Sequence, residues 1–310
     1  MRKTNLLTAP IRVSWQVVPL MERLDVHALS TSDAINLINC LLKMKVMVFS
    51  VMGKNFNRLN NLNFFEALSS IQGEMELLLS LGLSDIQHIV AKKLRGVNVQ
   101  NITLLLDEYT YNKAFLHKFN QAIDILRDER LKVNVGFTVT LENYRYLPNI
   151  MNLFLNTGIN SYIFFLSPSL ISLNDVYNWT VNKIHAEKKE KDISIVCQDR
   201  FCSSFSDSDN SFTPCAAGRF MCHIESNGDI YPCAEWPLKA GNIKENTFDY
   251  IWKNSPEFTQ IRRLKIDNDC RKCRFFNQCI GGCIGLFFKN RTALAPSLKC
   301  KKIDSLGRFL

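Results

Sequence analysis

The sequence contains no uninterrupted apolar run of about 20 residues, which argues against a membrane-spanning helix. Its opening, MRKTNLLTAPIRVSWQVV, has Arg12 inside the short apolar stretch and no small-residue cleavage site, so it does not read as a secretory signal. No aromatic-interleaved RNA-binding signature is present. Cysteine is almost missing from the first two thirds: Cys40 stands alone before position 196, and the other ten of the eleven lie between Cys197 and Cys300. Without a secretory signal, such a cluster points to bound metal in a reducing cytosol rather than to disulfides, and a cytoplasmic location is expected.

What is present is ordinary globular composition. Over 310 residues, 46% are hydrophobic and 22% charged, and the length allows about two domains. From Cys215 to Leu310, 16 Lys and Arg stand against 9 Asp and Glu, so +7 of the net +9 lies with the cysteines. Arg271, Lys272 and Arg274 interleave the densest cysteine run, where they can offset thiolate charge or contact phosphate. Charge alone does not separate these uses.

Across the first two thirds, apolar strand-like runs alternate with helix-period segments. Strands are expected at 11–18, 46–51, 74–81, 101–107, 132–140 and 161–167, and helices near 31–44, 60–71, 84–95, 113–128, 144–157 and 173–188. Ser30, Thr31 or Ser32 would cap the first helix. Near-continuous apolar strands between helices predict an α/β fold: six βα units around a parallel sheet, open or curled into a partial TIM-like barrel, with ligands at the carboxyl ends of the strands. SSFSDSDNSF reads as a linker, which divides the chain into a barrel at 1–200, a linker at 201–213 and a small cysteine-rich α+β domain at 214–310. In that domain, apolar alternation on both sides of Asn227-Gly228 predicts a β-hairpin, with short helices to follow at 246–253 and 256–265.

The cysteine spacing carries the chemistry. Cys215 is followed by twelve residues, Gly228, four residues and Cys233; then come Cys270-x2-Cys273-x5-Cys279-x3-Cys283 and, after sixteen more, Cys300. This is more thiolate than one tetrahedral zinc ion can use, whereas four-iron clusters take four cysteines each. Two clusters would need eight ligands, so seven leave one position for Cys197, Cys202, Cys222, a non-cysteine ligand or solvent. Cys222, in the hairpin half that follows Cys215, is the first choice. A zinc-binding module that contacts nucleic acid is the alternative that the charge and the C-x2-C spacing allow.

Residues 215–300 resemble the SPASM domain of radical S-adenosylmethionine (SAM) enzymes that mature ribosomal peptides and proteins. The resemblance rests on the cysteine order together with CAAG at 215–218, GDIYPC at 228–233, GNI at 241–243, Ile251-Trp252 and CIGGC at 279–283. It implies a first auxiliary [4Fe-4S] cluster on Cys215, Cys233 and Cys283 and a second on Cys270, Cys273, Cys279 and Cys300. The six preceding βα units suit the partial barrel of such enzymes.

The N-terminal half departs from that family. Its active members carry a Cx3Cx2C loop after the first strand, whose cluster leaves one iron free for SAM. Here the loop reads VVPLMERLDVHA, with Met21, Asp25 and Ala28 where the three thiolates would stand. The glycine-rich turn expected after the second strand is replaced by VMGKNF, in which only Gly53 has the needed freedom. The resemblance is therefore to a degenerate, pseudo radical SAM protein: two clusters, no bound SAM, no catalytic residue, and a role beside an active radical SAM enzyme or a precursor peptide. An enzyme working through an open auxiliary cluster is the other reading.

Asp107 ends the fourth strand, where the family often has an aspartate near its substrate cavity, but a carboxylate there more often forms a turn. His27 and His223 are candidate ligands, although a lone histidine usually packs or faces solvent. Cys40 reads as a buried small hydrophobe, and Phe275-Phe276 as a shield over a cluster.

Overall fold

The structure is a computed structural model that describes residues 7–17, 28–53, 65, 68–71, 73–97, 99, 101–106, 112–159, 161–167, 170, 173–190, 193–197, 215–263 and 272. Its elements begin with β1 (Arg12–Gln16), α1 (Thr31–Lys43), β2 (Val48–Gly53), β3 (Glu76–Gly82), α2 (His88–Gly96) and β4 (Asn101–Leu106). Next come α3 (Lys113–Asp128), β5 (Val133–Val139), α4 (Leu147–Asn156), β6 (Ser161–Leu166), α5 (Asn174–Glu190) and β7 (Ser194–Cys197). The last are β8 (Met221–Ile224), β9 (Asp229–Tyr231), β10 (Gly241–Asn242), α6 (Phe248–Asn254) and α7 (Pro256–Arg263).

All six expected strands form. The helix expected near 60–71 and the linker lie mainly outside the described residues, and β7 is a strand that the apolar pattern did not announce. Ser30 is the cap of α1: its hydroxyl accepts from Asp33 N at 3.1 Å while the Asp33 carboxylate accepts from Ser30 N at 3.2 Å. This reciprocal capping box satisfies two donors that the first turn would otherwise leave open. Ala34, Leu37, Ile38 and Leu41 form the buried stripe of the helix.

The chain divides into two compact units, the first made of Met1–Leu104, Gln121–Val133 and Ala216–Leu264 and the second of the rest. In the first unit the strand order is β10-β9-β8-β1-β2-β3-β4. β1, β2 and β3 are parallel, and one face of them is sealed by Val13, Trp15, Phe49, Val51, Leu77 and Leu79, each at most 2% exposed. Trp15 stacks on Phe49 with ring centroids 6.0 Å apart. Side chains alternate across a strand, so Ser14 and Ser50 lie on the opposite face, paired in register. β8 runs parallel to β1, with Val13 opposite Cys222 and Ser14 opposite His223, while β9 and β10 add antiparallel. The C-terminal hairpin thereby continues the parallel sheet from the far side of β1. In the second unit, β5, β6 and β7 are parallel neighbours, with Phe137 opposite Phe164 and Phe164 opposite Cys197.

Candidate metal centre

The expected hairpin forms between β8 and β9, but its turn differs from a two-residue Asn-Gly turn. Glu225 N donates to Asp229 O at 2.8 Å and Gly228 N to Glu225 O at 2.9 Å, which closes a three-residue loop over Ser226, Asn227 and Gly228. Only Gly228 adopts positive φ, +90°. The Asn227 side chain explains the difference, because it accepts from Asp229 N at 3.0 Å and sets a local Asx turn in place of a left-handed conformation at Asn227. A Cβ at Gly228 would lie 2.9 Å from both Ile243 and Leu29, so glycine is required for close approach as well as for backbone angle.

Asp229 holds the loop from the other side. Asn242 Nδ2, Asn227 Nδ2 and Lys239 Nζ contact its carboxylate at 2.8, 2.9 and 3.1 Å. Partial burial pushes the Asp229 carboxyl up, but these donors together outweigh it and leave the group below the usual aspartate value.

The CAAG turn is built on Gly218, at φ +64°. Its N–H lies 2.8 Å from Met221 O and 3.0 Å from Pro232 O, which ties the turn that follows Cys215 to the residue that precedes Cys233. A Cβ here would collide with Ile261 and lie 3.2 Å from Phe258 of α7. From α7, Arg262 Nε donates to Gly218 O at 2.7 Å, and Arg219 returns the tie by donating to Ile261 O at 3.1 Å. The Arg262 guanidinium is 4.4 Å from the Trp252 ring centroid and 5.1 Å from that of Phe258, a cation held against two rings that are themselves 4.9 Å apart. Trp252 is itself buried and donates its indole N–H to Leu7 O at 3.2 Å.

Cys215 and Cys233 are half-buried, and none of Cys40, Cys215, Cys222 and Cys233 is in a disulfide. Cys222 is fully buried within β8, and burial pushes its thiol well above the usual range, with Arg262 partly offsetting that rise. His223, the next residue, faces β1. Its Nδ1 lies 2.9 Å from Ser14 Oγ and its Nε2 lies 3.4 Å from the Glu225 carboxylate. Ser14 and His223 are 6% and 1% exposed, so this is a buried polar link in the sheet. Cys40 is half-buried on α1, as a small side chain near Met44 Sδ at 3.9 Å.

Cys202, Cys270, Cys273, Cys279, Cys283 and Cys300 lie outside the described residues, as do Met21, Asp25, His27, Asp107 and Phe275-Phe276. Cys197 is described only as the last backbone position of β7, and Ala28 is exposed before α1. Among the described residues no three His, Cys, Asp or Glu side chains converge on a single ion. The donor set that is present, thiols of Cys215 and Cys233 on two segments joined through Gly218, fits the soft sulfur chemistry of an iron–sulfur cluster, whose ligands surround a cage rather than one ion. Sequence reasoning passed over Arg262 and Ser14. The i,i+4 spacing of Phe258 and Arg262 on a short helix was a usable signal for the first; nothing local marks the second.

Residues 215–274 match the SPASM family, an iron-sulfur cluster-binding domain. This segment is a SPASM domain. The chain is 35% identical over 91 residues to the mycofactocin maturase MftC of Mycobacterium ulcerans, a match covering 28% of this chain and 25% of the maturase. It is 24% identical over 211 residues to the AdoMet-dependent heme synthase of Oleidesulfovibrio alaskensis, covering 58% of this chain and 53% of that protein. The chain thus aligns with about a quarter of one and half of the other. Streptococcus suis SuiB bound to its precursor peptide SuiA superposes with TM-score 0.72 at 16% identity, over 92% of this chain and 74% of SuiB. That likeness establishes the fold: a partial TIM-like α/β barrel joined to the SPASM domain. Among the described residues, no helix is long and apolar enough to cross a membrane.

Proposed function

We propose that this chain is an iron–sulfur-binding partner in the maturation of a ribosomally made peptide or protein, with no radical-generating cluster of its own. The observation that carries this reading is the contrast between the segment after β1 and the C-terminal third of the sequence. β1 ends at Gln16, and the segment that follows it up to α1 contains no cysteine, whereas residues 215–300 hold all seven motif cysteines. A four-iron cluster that binds SAM needs three thiolates on that loop, and Met21, Asp25 and Ala28 supply none.

On this reading Cys215, Cys233 and Cys283 hold one [4Fe-4S] cluster and Cys270, Cys273, Cys279 and Cys300 the other. When bound, these clusters would supply one-electron relay and would lock the loop-rich domain, since metal binding and folding are coupled. Cys222 is fully buried at the β8 position paired with Val13, which supports a packing thiol there, so we assign the remaining ligand position to Cys197, Cys202, a non-cysteine ligand or an open iron. One relative named above is a maturase and one solved neighbour, SuiB, is bound to a precursor peptide, which supports a peptide, or the active radical SAM enzyme that modifies it, as the partner.

The test is reductive cleavage of SAM by anaerobically reconstituted, chemically reduced protein. No cleavage above that of a cluster-free control is expected from the chain alone. Sustained cleavage would replace this reading with that of an enzyme using an open auxiliary cluster, which the unfilled eighth position favours.

A further inference from the structure

Trp179 lies off the buried stripe of α5. Tyr177, Thr180, Val181 and Ile184 turn inward at no more than 6% exposure, whereas Trp179 is 41% exposed. Its ring meets that of Tyr144 edge-on, with centroids 5.5 Å apart and planes at 82°. Tyr144 opens a single 3₁₀ turn, Tyr144–Tyr146, that follows β5 and is fixed by the nearly buried Asn143. The Asn143 side chain accepts from Thr140 N at 2.8 Å and donates to Thr138 O at 2.9 Å. The corner formed by Trp179 and Tyr144 is therefore in place before anything binds to it, with the exposed Tyr146 two residues on. Arg145 stands at this corner. Its Nε donates to the Tyr144 hydroxyl at 3.0 Å, and its guanidinium lies 5.5 Å from the Tyr144 ring centroid. Among the described residues no carboxylate pairs with it, and the groups that act on it electrostatically are the Tyr144 and Tyr146 phenols.

The chemistry of the corner selects its occupant. Two aromatic walls near a right angle would accept a cation, but the guanidinium already stands against Tyr144 and repels a second positive charge. A nucleic-acid backbone carries a negative charge at every step and would meet the exposed carboxylates of Glu142, in the same loop, and Asp175, one turn before Trp179 on α5. A single carboxylate beside an apolar side chain meets neither objection, since the acid takes the unused N–H groups of Arg145 and the apolar group covers the indole. We infer that Trp179, Tyr144 and Arg145 form a docking site for an extended peptide that presents a glutamate or aspartate next to an aliphatic residue. This rests on the peptide-partner reading given above and names where such a peptide is held. The site lies wholly within the second unit, on the segments that follow β5 and β6. Trp, Tyr and Arg are the residues on which the binding energy of an interface concentrates.

The experiment is fluorescence anisotropy on the full-length protein, prepared anaerobically, with a short labelled peptide of alternating glutamate and leucine and its counterpart carrying glutamine for glutamate. The parent is expected to bind the glutamate peptide about tenfold more tightly. Trp179→Ser should weaken both peptides by about tenfold, whereas Arg145→Gln should abolish the preference and leave the glutamine peptide where it was. Should Trp179→Ser melt early, Arg145→Gln decides alone, because that side chain is exposed. Peptide binding that both variants leave untouched overturns the docking site while the peptide-partner reading stands. A parent that binds neither peptide, or shows no preference for glutamate, overturns it as well. Affinity for a single-stranded oligonucleotide that depends on Trp179, or a dimer in sedimentation that Trp179→Ser dissolves, gives the corner to another occupant with the same consequence. The reading beneath the inference fails by a different result, cleavage of SAM by the chain alone.

Discussion

Ser14 Oγ lies 2.9 Å from Nδ1 of His223, and across this contact the first strand of the barrel meets the first strand of the SPASM hairpin. The two residues are 209 positions apart, nearly buried, and paired in register within one continuous sheet. The SPASM segment is thus built onto β1, the strand after which no cysteine stands before α1.

Removing one side of that contact should cost more than removing both sides implies. A buried polar atom left without its partner costs about 1–3 kcal/mol, whereas deleting both partners is milder. Ser14→Ala and His223→Ala are each expected to lower stability in urea unfolding. The double variant should fall short of the sum by roughly 0.5–1.5 kcal/mol. Strict additivity would show that the contact contributes nothing.

Gly218 and Gly158 offer a matched comparison. Both have positive φ, +64° and +69°, but a Cβ at Gly158 meets nothing within 4 Å while one at Gly218 strikes Ile261. Gly158→Ala should cost about 1–2 kcal/mol from backbone strain alone. Gly218→Ala adds displacement of α7, and with it the seat of Arg262, so it should cost more and lower iron content. Equal losses in thermal melting would contradict this.

The Cys222 thiol should resist alkylation. Burial pushes it above the ordinary thiol range and out of reach, and only the thiolate attacks iodoacetamide. In the folded, cluster-loaded protein at neutral pH, labelling followed by peptide mass spectrometry is expected at Cys40, with Cys222 modified only after unfolding. Cys222→Ala should retain the parent iron content; loss of about half the iron would make Cys222 a cluster ligand after all.

Acid stability carries a signature of Asp229. Its folded pKa lies below the unfolded value of about 3.9, so the unfolded chain binds the extra proton first. The stabilisation is complete above that value and is lost as pH falls through the folded pKa. Asp229→Asn should therefore be less stable than the parent at pH 6 and converge on it in melts taken below about pH 4. The difference is small, because partial burial of the carboxylate opposes the donors that stabilise it.

Much of this was legible in the sequence, because strands buried on both faces leave near-continuous apolar runs. The runs at 46–51, 74–81 and 161–167 became β2, β3 and β6 within a few residues. β7, four residues long with an exposed Val196, carries too little apolar signal to be read. The hairpin announced itself through Asn227-Gly228, but its three-residue turn depended on side-chain bonds from Asn227 and Asn242 that no pattern encodes. Of the candidate centre, the cysteine spacing was plain, while its supports were not. Ser14 pairs with His223 only because β8 lies against β1, and Arg262 is seated by Trp252, Phe258 and Gly218 together.

The account stands most directly on the metal content of the chain produced anaerobically in cells able to assemble clusters. It predicts a brown protein with a broad absorption near ~400 nm and about eight iron and eight sulfide per chain, the complement of two four-iron clusters without a third. Colourless protein with zinc or no metal would contradict the SPASM centre, and about twelve iron with turnover of SAM would contradict the loss of the radical-generating site.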